Sequence, residues 1–167
     1  SVAAIAAGRQ ARVQLEMGGK NPLVVLNDAD LDRAVAVALD GSFLSTGQRC
    51  TASSRLIVEE AIHDRFIARL GEKLAGLKIG HALDPASQIG PAVSEAQRDR
   101  SRTYLDVALK EGAQLVHGGG DPAADSPGWF VEPTLLADTA ADMRINREEV
   151  FGPVAATQRV RDYEAAL

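Results

Sequence analysis

Apolar positions along the chain switch between two rhythms, and each switch marks an element. Val13, Leu15 and Met17 alternate with Gln14 and Glu16, which predicts a short strand over Arg12 to Met17. Behind Pro22, the continuous run Leu23-Val24-Val25-Leu26 has the pattern of a strand buried on both faces of a parallel sheet. From about Asp30 to Ser45 the period becomes helical, with Leu31, Ala34, Ala38 and Phe43 near one stripe and Asn27 or Asp28 as the cap. Arg55 to Val58 reads as a strand. Ala61 to Leu77 then reads as a helix with Ile62, Phe66, Leu70, Leu74 and Leu77 on one face. Ser94 caps a further helix to about Lys110, stopped at Glu111-Gly112. Strands are predicted over Ala113 to His117, Trp129 to Val131, Thr134 to Leu136 and Val154 to Val160.

Glycine and polar clusters punctuate these elements. Gly18-Gly19 turns the chain, Thr46 to Thr51 is a loop holding Cys50, Gly80 to Pro91 is a longer loop, and Gly118 to Pro127 is a surface loop. Ser1 to Ala7 reads as a helix end closed by Gly8, and the sequence ends at Leu167 just as another helix-like pattern begins. The expected fold is therefore α/β: a parallel-type sheet flanked by helices, truncated at both ends and drawn from a longer polypeptide.

Composition narrows the function classes. At 167 residues, 46% hydrophobic and 25% charged, the chain is long enough to bury a core and has the balance of a globular domain. The net charge of −5, with no basic cluster, argues against a nucleic-acid partner. No apolar run is long enough to span a bilayer, so no membrane partner is expected. The single cysteine rules out an internal disulfide and a thiolate zinc site, and fits a reducing, cytoplasmic setting. His63, His81 and His117 lack metal-ligand spacing, so no metal is expected. Asp28, Asp30 and Asp32 sit where helix caps and dipole partners belong.

Three features carry candidate chemistry. Cys50 lies in the polar loop Ser45-Thr46-Gly47-Gln48-Arg49-Cys50-Thr51-Ala52, beside Arg49, whose charge favours the nucleophilic thiolate. Free cysteine is also a common core residue, and spacing alone leaves that alternative open. Glu16 stands at a strand end just before the double glycine, where apolar surroundings suit a general base and an edge-strand surface suits a plain solvated carboxylate. Glu148-Glu149-Val150-Phe151-Gly152-Pro153 marks a sharp bend ahead of the last strand.

Leu15-Glu16-Met17-Gly18-Gly19-Lys20-Asn21-Pro22, Gly47-Gln48-Arg49-Cys50 and Glu148-Glu149-Val150-Phe151-Gly152-Pro153-Val154 resemble three signature blocks of the aldehyde dehydrogenase superfamily, in matching order and separation. Asp28-Ala29-Asp30-Leu31-Asp32 and Gln88-Ile89-Gly90-Pro91 agree as well. The resemblance implies NAD or NADP as cofactor and a small-molecule aldehyde as substrate. It implies Cys50 as the nucleophile that forms a thiohemiacetal and then a thioester, and Glu16 as the base that activates the hydrolytic water. It assigns Glu149 to the nicotinamide ribose, Phe151 to the nicotinamide face and the Met17 backbone to the carboxamide, with Gln97 and Arg100 less firmly near the other ribose. The family's oxyanion asparagine belongs to a segment absent from this chain, and Asn21 is not its equivalent. Residues 1–15 correspond to the edge of the cofactor-binding domain and 16–167 to an incomplete catalytic domain, which in the family assembles as a homo-oligomer (dimer or tetramer).

The stretch from Phe43 to Arg55 looks most like the branch that oxidises α-ketoglutaric semialdehyde, or 2,5-dioxovalerate. A substrate of that kind carries a carboxylate, which Arg49 and Arg55 are candidates to pair. Two other readings compete: a CoA-acylating enzyme, disfavoured because Glu16 is present, and a non-catalytic assembly module.

Overall fold

A computed structural model describes residues 1–122 and 127–167. In chain order the elements are α1 (Val2–Gly8), β1 (Asn21–Val25), α2 (Leu31–Phe43), β2 (Ser53–Glu59), α3 (Glu60–Ala75), α4 (Glu95–Lys110), β3 (Gln114–His117), β4 (Thr134–Ala137), α5 (Arg144–Arg147), β5 (Val154–Val160) and α6 (Tyr163–Ala166). The strands form one sheet in the order β1-β2-β5-β4-β3, parallel except for the antiparallel pair β3 and β4.

The sheet's period of two builds two cores. On one face, Val25, Leu56, Val58, Leu135 and Ala155 meet Val35, Ala38 and Phe43 of α2 and Ile62, Phe66, Leu70 and Leu74 of α3. On the other, Leu136, Val154 and Ala156 meet Tyr104, Leu105 and Ala108 of α4 and Ile145 of α5. Adjacent residues of β4 and β5 thus serve opposite layers, and the result is the expected helix–sheet–helix arrangement. The caps are local: Asp30 accepts the Arg33 N–H at 3.0 Å to start α2, and Ser94 accepts the Gln97 N–H at 3.3 Å to start α4.

Several sequence expectations need correction. Arg12 to Met17 is not a strand: its alternation meets no neighbouring strand among the described residues, and the whole stretch is exposed irregular chain. Leu23 to Leu26 is not buried on both faces, because β1 is an edge strand of this sheet and Val24 remains 41% exposed. The cap of α2 is Asp30 rather than Asn27 or Asp28. Trp129 to Val131 makes only an isolated bridge from Trp129 to Ala92. The surface loop predicted over Gly118 to Pro127 falls partly on 123–126, outside the described residues. The single turn α5 carries too few positions to show a period, so its sequence does not announce it.

Candidate active site

Lys20 runs directly into β1, Ala52 into β2 and Pro153 into β5, and these three strands are parallel neighbours in the sheet. Adjacency in the sheet therefore collects the three candidate segments in a row off the amino ends of the strands. Open parallel sheets more often place their ligands at the carboxyl ends.

Each pair of segments is tied. The Asn21 side-chain amide donates to the Cys50 carbonyl at 2.6 Å and to the Ala52 carbonyl at 3.3 Å, joining the first to the second. Gly19 N–H donates to Glu149 Oε1 at 3.3 Å across 130 residues of chain, joining the first to the third. A Cβ on Gly18 would stand 2.5 Å from the Glu149 carboxyl carbon, so only glycine lets that carboxylate lie against the turn. Gly47 packs on the Gly152 carbonyl with φ +61°, joining the second to the third.

The backbone around Cys50 is unusual. Ser45, Thr46 and Gly47 all take left-handed φ values of 56°, 57° and 61°, and for a β-branched threonine this is a strained conformation of order 1–3 kcal/mol. Thr46 is held there by burial and by its hydroxyl, which donates to the Gly90 carbonyl at 3.0 Å. Gln48 Oε1 accepts the Val93 N–H at 2.9 Å. The loop so fixed leaves Cys50 exposed. Phe151 is the matching outlier in the third segment: its φ is +60° and the residue is 37% exposed. Strain of this kind persists only where surrounding contacts impose it.

The other expected residues are distributed unevenly. Met17 is 77% exposed at the mouth of the first segment. Glu16 is exposed on irregular chain and accepts from Gln14 Nε2 at 2.6 Å. The Arg49 guanidinium is engaged by the end of α2. Its Nη2 donates to the Asp40 and Gly41 carbonyls at 2.6 and 3.1 Å, at the carboxyl end of α2, where a cation offsets the helix dipole. Arg55 is half-buried in β2 with its Nε unpartnered. Gln97 and Arg100 reach main-chain carbonyls of 149–151.

Sequence reasoning passed over Lys20. Its Nζ is buried without a hydrogen-bond partner. Burial, and secondarily the like charge of Arg55, lowers its pKa to about 8, against an opposing pull from Glu149. The signal available was a lysine immediately before a buried strand. Glu148, next to Glu149, is drawn the other way: hydrogen bonds from Arg144, then from Tyr104, hold its carboxyl down at about 2. Among the described residues no three or more metal-binding side chains cluster, and no helix is long and apolar enough to cross a membrane.

The arrangement suits covalent chemistry: an exposed thiol on a loop held by hydrogen bonds, with the Glu149 carboxylate and the Phe151 side chain presented from the 148–153 segment beside it. The family model for the aldehyde dehydrogenase family matches residues 1–167. The chain is 49% identical to betaine aldehyde dehydrogenase of Rhizobium etli over 167 residues, covering 99% of this chain and 34% of that protein. It is 47% identical to the enzyme of the same name from Sinorhizobium fredii over 154 residues, covering 92% and 32%. Among solved structures, betaine aldehyde dehydrogenase from Staphylococcus aureus in complex with NAD+ superimposes with a TM-score of 0.93 at 37% identity, covering 99% of this chain and 33% of that one. HpcC from Thermus thermophilus gives 0.93 at 36% identity, with the same coverage. The chain spans about a third of the length of these relatives. With its three candidate segments meeting at one sheet end and its whole length matched, the chain belongs to the aldehyde dehydrogenase family.

Proposed function

We propose that this chain is the thiol-bearing third of an NAD(P)-dependent aldehyde dehydrogenase, with Cys50 as nucleophile and Glu16 as general base. The observation that carries the proposal is the convergence of the Cys50 loop with Gly19 and Glu149 at the amino ends of three adjacent parallel strands. Residues 1–15 form the edge of the cofactor domain and 16–167 the incomplete catalytic domain. In support, α1 buries no residue, and Val2 and Ile5 are 66% and 61% exposed. Assembly as a dimer or tetramer belongs to the same proposal, and the unpaired outer edge of β1 suits it.

The residues present fit the nicotinamide end of the cofactor. Glycine at position 18 leaves room for the Glu149 carboxylate, Phe151 offers an exposed ring, and the Met17 main chain is open. Glu149, Phe151 and the Met17 main chain would hold NAD(P)+, which when bound would supply the acceptor for the hydride leaving the substrate carbon. The Cys50 thiolate forms the S–C bond to the aldehyde carbon, and the carbonyl π electrons move to oxygen. The Cys50 N–H, which makes no hydrogen bond among the described residues, is placed to donate to that oxygen. Loss of hydride from the same carbon leaves a thioester on Cys50. Glu16 then takes a proton from water as its oxygen attacks the thioester, and the S–C bond breaks to release the acid and restore the thiolate. Hydrolysis by Glu16 distinguishes this course from acyl transfer to CoA.

For the substrate, 2,5-dioxovalerate rests on Arg49 and Arg55 as carboxylate partners, and Arg49 is already committed to the end of α2. Betaine aldehyde is the competing substrate because relatives at 47–49% identity bear that name. The deciding measurement is kcat/KM of the full-length protein for the two aldehydes, with product assayed as free acid. Cys50→Ala is expected to abolish NAD(P)H formation. Glu16→Gln is expected to retain a first-turnover burst but lose steady-state turnover. A Cys50→Ala protein that still oxidises aldehyde would refute the mechanism. The chain by itself is expected to give no aldehyde-dependent NAD(P)H.

A further inference from the structure

One face of α4 reads Gln97, Arg100, Ser101, Tyr104, which is the i, i+3, i+4, i+7 spacing of a single helical stripe. Every one of these side chains meets the five-residue segment 148–152. Gln97 Nε2 donates to two carbonyls, Val150 at 2.9 Å and Phe151 at 2.8 Å. Arg100 Nη2 donates to the Glu149 carbonyl at 2.6 Å. Tyr104 donates its hydroxyl to Glu148 Oε2 at 2.6 Å. Buried Ser101 stands so close to Gly152 that a side chain there would strike its Oγ. Polar groups turned toward the protein need partners, and Gln97 and Arg100 find theirs in the carbonyls of three successive residues.

The target of the bonds gives them their meaning. Gln97 and Arg100 take the main chain of 149–151 and leave the Glu149 carboxylate and the Phe151 ring free. That main chain is not in a relaxed state, because Phe151 sits at φ +60°. An unsupported segment would relax Phe151 to negative φ and draw the Glu149 carboxylate away from Gly18 and Gly19. We infer that Gln97 and Arg100 are positioning residues: they lock the 149–151 backbone so that Glu149 and Phe151 present a preformed surface to the nicotinamide half of the cofactor. The inference rests on the proposed function, since it needs the cofactor to bind at Glu149 and Phe151.

The test is NADH binding to the full-length protein, read by fluorescence titration, which does not depend on turnover. Gln97→Leu with Arg100→Met removes all three donated bonds without adding bulk. The dissociation constant for NADH is expected to rise about tenfold, the effect of losing net one to two hydrogen bonds' worth of preorganisation. KM for NAD+ should rise with it, whereas KM for aldehyde and the rate of Cys50 alkylation without cofactor should stay within twofold. Arg100→Lys, which keeps a charged donor, should recover most of the loss attributed to Arg100. Unchanged NADH affinity in the double variant, or a parallel collapse of Cys50 alkylation that signals general unfolding, overturns the inference. A wild-type protein that binds NADH but oxidises no aldehyde would sink the proposed function and leave the clamp standing.

Discussion

Gly47→Ala offers the sharpest probe of how the thiol loop and the 148–153 segment depend on each other. Gly47 has φ +61°, and an added Cβ would stand 2.6 Å from the Gly152 carbonyl carbon and 3.0 Å from Pro153 Cα, with the Gly152 oxygen nearer still. The obstacle is backbone, so no side chain can swing aside. Two costs combine: about 1–2 kcal/mol for alanine in the left-handed region and about 1–3 kcal/mol for forcing apart a packed contact. A total of about 2–5 kcal/mol is a large share of an ordinary domain's stability of about 5–15 kcal/mol. Function is expected to suffer more than stability. Relief requires the two segments to part by several tenths of an ångström, and a misplacement of about 1 Å can cost about 10²-fold in rate. The full-length variant should therefore lose at least about tenfold in kcat/KM and show a lower urea midpoint. Gly90→Ala is the control, because its Cβ meets nothing within 4 Å and its φ is unstrained; it should match wild type. If Gly47→Ala keeps the wild-type midpoint and wild-type turnover, the claim that this contact sets the site's geometry is wrong.

Other outcomes follow from the same contacts. Lys20 has its pKa lowered to about 8 in the fold, mainly by burial, while the unfolded chain holds that proton to about 10.5. Between those values the unfolded state binds more protons, so stability should rise with pH through this window by up to about 3 kcal/mol relative to Lys20→Met, measured by urea unfolding at pH 7.5 and pH 10; a difference that stays flat would contradict the burial. Arg49→Met should cost about 1–3 kcal/mol through the lost bonds to the Asp40 and Gly41 carbonyls, with KM for a carboxylated aldehyde unchanged; a large rise in that KM with intact stability would return Arg49 to the substrate. Phe66, fully buried between α3 and the sheet, should cost about 3–5 kcal/mol as Phe66→Ala, seen as a lowered thermal midpoint, and a neutral result would mean the α2–α3 layer is not the core described.

The sequence by itself determined the elements whose burial matches their own periodicity. The stripe Ile62, Phe66, Leu70, Leu74 faces one layer in the fold, and the last strand runs from Val154 to Val160 as its pattern predicts. It also located the three segments of the candidate site, because thiol, carboxylate and glycine turns are local chemical signals. Tertiary structure decided the rest. Alternation over Arg12 to Met17 made no strand, because a strand exists only with a partner for its N–H and C=O groups. Arg49 is adjacent to Cys50 in sequence, yet its guanidinium answers to carbonyls of α2. The sequence offered Gln97 and Arg100 only as candidates near a ribose; that they also hold the 149–151 main chain appears only when α4 is laid against it. Periodicity reports which face of an element is buried. It cannot report which strand lies beside which, and that ordering, β1 next to β2 next to β5, brings the thiol loop, Gly19 and Glu149 together.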